Sequence, residues 1–346
     1  LPAAPAMLGN VVVWKPSESQ ALSAHYLMQM FLEAGLPPGV INLVHGEGAS
    51  VAEACLDAPD FAGLHFTGST EIFRSMQRRI GEKLASYKNF PRVVGETGGK
   101  DFVLAHASAE PESLAVALVR GAFEFQGQKC SAASRAYVPR SLWPKVRARV
   151  LDEIRSVRLG DVRDFRTFMG AVIHERSYDK LHGWKTRLEA DAQCTVHGGD
   201  RWSKTEGWFA GPTVVEVADP HHDLLQTELF GPVLGVHVYD DARFAEVCAL
   251  VDETSPYALT GALFGTDRAA LTAASDRLRH AAGNLYLNDK PTGAVVAQQP
   301  FGGGRASGTN DKAGSVLNLL RWISPRVIKE TFCPPTAVPY PSMAEE

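Results

Sequence analysis

Cys130 stands in Gln128-Lys129-Cys130-Ser131-Ala132-Ala133, a single thiol among small residues with a lysine beside it. Such a thiol is either an accessible nucleophile of lowered pKa or a packing residue, the commonest role of a free cysteine. Glu96 lies 34 residues upstream and opens Glu96-Thr97-Gly98-Gly99-Lys100. A carboxylate at a strand end ahead of two glycines occupies a typical α/β site, because bare backbone turns sharply and admits a ligand. The same residues also fit a turn whose acid faces water. Three further clusters carry binding chemistry. In Lys15-Pro16-Ser17-Glu18, Lys15 and Glu18 can hydrogen-bond sugar hydroxyls, and Ser17 can cap the following helix. In Phe66-Thr67-Gly68-Ser69-Thr70, Gly68 and Ser69 lead into a helix N-terminus whose free N–H groups suit a phosphate, without the usual Gly-rich dinucleotide pattern. Glu228 and Phe230 precede the sharp turn Gly231-Pro232.

These groups must be positioned by alternating strands and helices. Strands are expected at Val11–Trp14, Val40–Val44, Phe61–Phe66 and Arg92–Gly95, from runs of β-branched and aromatic residues. Helices are expected at Ser19–Ala34, Ser50–Leu56 and Thr70–Leu84, the first closed by Gly35. A second alternating region starts near Asp101, with helices at Ser113–Phe125 and Leu142–Val157 around a strand at Ser134–Val138. Weaker signals continue through Tyr239, Leu259–Phe264 and Asn284–Leu287. Residues 291–311, rich in Gly, Pro and Asn, read as loops, and Pro334–Glu346 as an extended tail. Repeated strand–helix–strand order implies a parallel α/β architecture. The first half supplies fewer strands than a doubly wound sheet needs, so the sequence reads as a fragment.

Composition narrows the function. The chain has 346 residues, 45% of them hydrophobic, and a formal net charge of −4. No basic block points to nucleic acid, no apolar run spans a membrane, and the start is no secretory signal. Five cysteines at positions 55, 130, 194, 248 and 333 form neither a zinc motif nor a compact disulfide framework. Reduced thiols in a cytoplasmic compartment are the simplest reading. His221-His222 sits in the polar loop Asp219–Asp223, and no metal is expected there. Gly302-Gly303-Gly304 lacks the Lys-Ser/Thr of a P-loop.

Taken in order, these clusters, with Pro300-Phe301-Gly302-Gly303, resemble the aldehyde dehydrogenase superfamily over residues 1–332. Four stretches are similar to the branch that oxidises glutamate γ-semialdehyde, the Δ1-pyrroline-5-carboxylate dehydrogenases. They are residues 123–132, 288–293, 298–303 and Arg305-Ala306-Ser307-Gly308-Thr309-Asn310-Asp311-Lys312. The resemblance implies an aldehyde dehydrogenase fold of class α/β: a partial Rossmann-like NAD domain and an α/β catalytic domain. Its expected boundaries are 1–98 for the back half of the NAD domain, 99–318 for the catalytic domain and 319–346 for an oligomerising strand and tail. Leu319–Trp322 and Arg326–Thr331 would supply the strand, implying a homo-oligomer.

The resemblance also implies the chemistry. Cys130 attacks an aldehyde, the thiohemiacetal passes hydride to NAD, and Glu96 activates the water that hydrolyses the thioester. Lys15, Ser17 and Glu18 would serve the adenosine ribose, with Glu18 disfavouring a 2′-phosphate. Gly68 and Ser69 would lie near the pyrophosphate. Glu228 would serve the nicotinamide ribose and Phe230 the nicotinamide end, with Gly98 also in the cofactor site. Ser131, Ser307 and Gly308 would hold the amino-acid end of the substrate, with Arg305 a structural charge. One oxyanion donor is the Cys130 N–H; the other, an asparagine, would lie upstream of Leu1, and Asn10 is not its equivalent. Another semialdehyde such as succinic semialdehyde, or a catalytically silent chain, are the alternatives.

Overall fold

A computed structural model describes residues 1–343. Thirteen strands run in chain order: β1 Val12–Trp14, β2 Ile41–Leu43, β3 Gly63–Thr67, β4 Arg92–Glu96, β5 Asp101–Ala105, β6 Ala133–Pro139, β7 Cys194–Gly198, β8 Thr213–Val217, β9 Val233–Tyr239, β10 Tyr257–Ala258, β11 Thr260–Phe264, β12 Asn284–Leu287 and β13 Gly304–Arg305. Seven form one sheet in the order β12-β11-β5-β6-β9-β8-β7. Every neighbouring pair is parallel except β7 and β8.

The central strands are covered on both faces, as parallel strands require. β5 and β11 are buried at every residue. Side chains alternate across the sheet. Val103, Ala105, Ala136, Val138 and Phe264 pack on one side with the helices Pro111–Phe123 and Trp143–Ser156. Phe102, Leu104, Tyr137 and Leu263 pack on the other with the helices Phe244–Glu253 and Arg268–Arg277. The start of Pro111–Phe123 is set locally. Pro111 has no N–H to lose in a first turn, and the Glu110 carboxylate accepts from Glu112 N and Ser113 N.

The first hundred residues hold the expected elements in the expected order, but not in one sheet. β1 pairs parallel with β2, and β3 parallel with β4, as two separate two-stranded sheets. The change to the large sheet falls between Glu96 and Asp101. At the other end the expected edge strand is absent among the described residues. Leu319–Trp322 is instead the close of the helix Val316–Leu320 and its following turn. Arg326–Thr331 has no regular structure, because a strand needs a hydrogen-bonded neighbour and no strand of this chain lies alongside. The expected extended tail holds one 3₁₀ turn, Pro341–Met343, and its last three residues lie outside the described residues.

Leu118 is fully buried and Leu22 is 69% exposed, although both lie on helices. Leu118→Ala is expected to lower stability by about 2–5 kcal/mol, and Leu22→Ala by no more than about 0.5 kcal/mol. The shift of the urea midpoint measures both.

Candidate active site

The site is built where β4 hands over to β5. Thr97, Gly98, Gly99 and Lys100 bridge the two strands and all four are buried. Gly99 N donates to Glu228 Oε1 at 2.9 Å. A Cβ on Gly98 would stand 2.3 Å from Glu228 Oε2, and one on Gly99 would stand 2.2 Å from the Cys130 carbonyl oxygen and 2.3 Å from Asp101 Oδ2. A side chain at either position would have to push these groups aside. The bare backbone lets the nucleophile turn, Glu228 and the end of β4 meet.

Cys130 reaches this point through a strained turn. After the helix Pro111–Phe123, residues Phe125, Gln126 and Gly127 have φ of 53°, 57° and 63°. Left-handed backbone costs a non-glycine residue about 1–2 kcal/mol, so the turn must be held from outside. Gln126 Oε1 accepts from Gly170 N at 2.9 Å, its Nε2 donates to Ala171 O at 3.3 Å, and Gln128 Oε1 accepts from Ile173 N at 3.1 Å. Neither glutamine stands out in the sequence as a site residue. The signal available was two amides flanking a glycine just ahead of the thiol.

The electrostatics oppose a free thiolate. Burial first, then Asp101, Glu96 and Glu228, push the Cys130 thiol up to about 12. The one opposing influence is its own backbone N–H. Lys129 does not activate the sulfur as its position in sequence suggested. Its ammonium bonds Glu124 Oε2 at 3.0 Å, and Lys290 takes the same oxygen at 2.8 Å. Burial also raises Glu96 and Glu228 above the ordinary carboxyl range, and Asp101 well above it. Glu228 is held back by the Gly99 N–H and by Lys100 and Lys180. Lys100 is 1% exposed, its Nζ has no hydrogen-bond partner, and burial, ahead of Arg135, lowers it to about 7. Asp101 and Lys180 did not stand out in the sequence, since only the packing brings them to Cys130 and Glu228.

The remaining expected residues sit around this centre in three groups. At the end of β1, Lys15 pairs with Glu18 at 3.8 Å. Ser17 precedes the 3₁₀ turn Glu18–Gln20, yet its side chain makes no capping bond, because its backbone leads into that turn and the helix Ala21–Glu33 begins only after it. At the end of β3, Ser69 Oγ accepts from Ile72 N at 3.3 Å and caps the helix Thr70–Glu82. Gly68 N donates to Glu96 O at 3.2 Å, which ties this turn to β4. Both clusters therefore stand at carboxyl ends of parallel strands, where α/β folds bind ligands. Phe230, with φ of 56°, and Glu228 line a small cleft with Gly99, Gly127 and Lys129.

The third group is the loop after β13. Gly308 has φ of 130°, and a Cβ there would stand 2.1 Å from Gly95 O. Thr97 N donates to Ser307 O and Thr309 N to Gly95 O, each at 3.0 Å, so the loop docks antiparallel against the end of β4 beside Glu96. Ser307 is 1% exposed and its Oγ accepts from Ala258 N at 3.0 Å. Its hydroxyl proton and one lone pair remain to be offered. Ser131 is half-buried next to Cys130. Arg305 is a structural charge, bonding the Asp252 carboxylate at 2.6 Å and the Asp252 carbonyl at 2.9 Å.

His222 meets Asp191 and Cys194 across the fold, at 3.1 Å and 3.8 Å from its Nε2. Its Nδ1 accepts from Leu224 N at 3.0 Å. A cation on Nε2 would force the ring proton onto Nδ1 and break that cap. His221 stands outside the cluster.

A cysteine on a strained turn, a carboxylate strand end and an acid over two bare glycines meet on this sheet order. The chain belongs to the aldehyde dehydrogenase family, whose profile matches residues 2–325. Within that family it is similar to Δ1-pyrroline-5-carboxylate dehydrogenases. The mitochondrial enzyme of Dictyostelium discoideum is 49% identical over 100% of this chain and 62% of its own length. The mitochondrial human enzyme is 44% identical over 96% of this chain and 60% of its own length. The crystal structure of the Mycobacterium tuberculosis Δ-pyrroline-5-carboxylate dehydrogenase bound with NAD superposes with a TM-score of 0.93 at 51% identity, covering 99% of this chain and 63% of that one. This chain thus spans a little over three fifths of the length of these relatives.

A thiol held up by burial and carboxylates ionises late. Iodoacetamide is expected to alkylate Cys130 about tenfold faster per pH unit from 7 to 10 without levelling, whereas a free thiol levels off above about 8.5. Peptide mass spectrometry reads the rate. A plateau below pH 9 would show that the sulfur does not feel Asp101, Glu96 and Glu228.

Proposed function

We propose that the protein to which this chain belongs oxidises L-glutamate γ-semialdehyde to L-glutamate with NAD. The observation that carries the reading is the convergence of Cys130, Glu96 and Glu228 through Gly98 and Gly99. The Mycobacterium tuberculosis relative, bound with NAD, supports the cofactor.

The residues present fit NAD. The Glu228 carboxylate is fixed over the Gly98 cradle, where no Cβ could stand, and can accept from ribose hydroxyls. Lys15 and Glu18 would hold the other ribose, the Glu18 charge disfavouring a 2′-phosphate, with Ser17 beside them. Gly68 and Ser69 would face the pyrophosphate at a helix N-terminus. Phe230 would flank the nicotinamide. When bound, NAD supplies the hydride acceptor.

The Cys130 thiol gives its proton to the neighbouring Glu96 carboxylate, which hands it on to solvent, and the sulfur bonds the aldehyde carbon as the carbonyl π bond opens to an oxyanion that the Cys130 backbone N–H is placed to stabilise. After oxidation the acyl group is a thioester on Cys130. Glu96, whose raised pKa places it closer to neutrality than an ordinary carboxylate, takes a proton from water, and the hydroxide cleaves the thioester to release carboxylate and thiol. Ser131, Ser307 and Gly308 would hold the distal carboxylate and amine of the substrate, the docked loop bringing Ser307 and Gly308 beside Glu96.

We further propose that 1–98 is the back half of an NAD domain, 99–318 the catalytic domain and 319–346 an oligomerising segment. The sheet break between Glu96 and Asp101 supports the first boundary. Val327, Ile328 and Phe332 are 90%, 76% and 87% exposed, which supports burial against another copy in a homo-oligomer. Five unpaired cysteines suit a reducing compartment, for which we propose the cytoplasm; the Dictyostelium and human relatives are named mitochondrial. No helix among the described residues is long and apolar enough to cross a membrane.

The test is NADH formation from pyrroline-5-carboxylate, for this chain and for one extended upstream in its reading frame. Cys130→Ala is expected to abolish turnover. Glu96→Gln is expected to give one burst of NADH and then a steady rate lower by about 10²–10⁴-fold. Full turnover by Cys130→Ala would overturn the reading.

A further inference from the structure

The segment from Pro300 to Ala313 is a loop that closes on itself. Phe301 and Ala313 exchange both backbone hydrogen bonds, at 2.9 and 2.7 Å. The Lys312 ammonium lies inside this closure. Its three protons face three acceptors: Gly283 O at 2.7 Å, Asn284 Oδ1 at 3.1 Å and Gly302 O at 3.1 Å. Asn284 completes the tie, donating from Nδ2 to Pro300 O at 2.9 Å and accepting from Gly302 N at 3.3 Å. One side chain from the loop's far end and one from the start of β12 thus fasten the loop's near end.

The loop between needs that fastening. Arg305, Asn310 and Lys312 have φ of 50°, 55° and 51°, left-handed without being glycine. Such residues persist only where their surroundings over-determine them. The middle of the loop is the part docked beside Glu96, through Ser307 O, Thr309 N and the Thr309 hydroxyl, which accepts from Gly95 N at 3.0 Å.

We propose that Lys312 is a positioning residue that sets specificity for the distal end of the aldehyde: its ammonium closes the loop and so places Ser307 and Gly308 against Glu96. The proposal rests on the substrate reading given above. Lys312 acts through Gly302 and Asn284 rather than on substrate, since all three of its protons are committed within the chain. An aldehyde with an amino-acid end depends on the loop's position. A short aldehyde that stops at Cys130 does not.

The experiment compares wild type with Lys312→Met and Asn284→Ala in the upstream-extended protein, with glutamate γ-semialdehyde and with propanal. Each variant is expected to raise KM for the semialdehyde about tenfold or more with kcat within about twofold, and to leave both constants for propanal within about twofold. The double variant is expected to be no worse than Lys312→Met alone, because both side chains serve one tie. In the chain of 346 residues, hydrogen exchange at Thr97 and Thr309 is expected to quicken in Lys312→Met while the amides of β5 keep their rates. Equal losses on both aldehydes, or unchanged exchange at Thr97 and Thr309, would overturn the proposal. A wild type that oxidises propanal but not the semialdehyde would remove the substrate reading and the specificity role with it, whereas the exchange rates would then still decide whether Lys312 closes the loop.

Discussion

Two consecutive α-carbons without side chains, Gly98 and Gly99, are the constraint on which the rest depends. Through them Glu228 and the Cys130 turn close to distances that a methyl group would push apart. The close approach removes water from around the sulfur, and low dielectric strengthens each neighbouring charge. Burial, Asp101, Glu96 and Glu228 then all act on one thiol in the same direction. The result is a nucleophile stored as thiol. It ionises only when a base takes its proton or when the surrounding charges change. A bound cofactor would alter those surroundings, because Glu228, one of the three carboxyls, is also the group proposed to bind a ribose.

The scaffold spends its rigidity around that point. The Cys130 turn is strained and is held by Gln126 and Gln128 against residues 170–173. The loop carrying Ser307 and Gly308 is strained and is held by Lys312, Asn284 and the Arg305–Asp252 pair. β5, which begins at Asp101, is buried throughout and anchors the floor. Unusual backbone thus collects at the site, with its compensation in side-chain hydrogen bonds that have no other evident task.

Much of this was legible in the residues. Strand–helix periodicity located β1 to β4 and β6 within a few residues but not β5, and the motifs, with the family resemblance they carry, named Cys130, Glu96, Glu228 and Ser307 before any geometry. What was not legible came from packing across the sheet. Lys129 reads as an activator in sequence, and the fold turns it to Glu124. Lys100, Asp101 and Lys180 gain their influence only because β5 and the helix Glu175–Glu189 are brought beside Cys130 and Glu228. β7 and β8 lack a clean signal, since each mixes polar residues with apolar ones on a sheet margin. The apolar run near Leu319 suggested a strand, but helical hydrogen bonding satisfied its backbone within the chain.

The most direct measurement is the iodoacetamide rate of Cys130 relative to exposed Cys333 in the same molecule, for wild type and Gly99→Ala. A methyl at position 99 displaces the Cys130 backbone from Asp101, so the ratio is expected to rise by about tenfold, equivalent to one pKa unit, with the thermal transition retained. A folded Gly99→Ala protein with an unchanged ratio would contradict the claim that bare backbone at this position governs the sulfur.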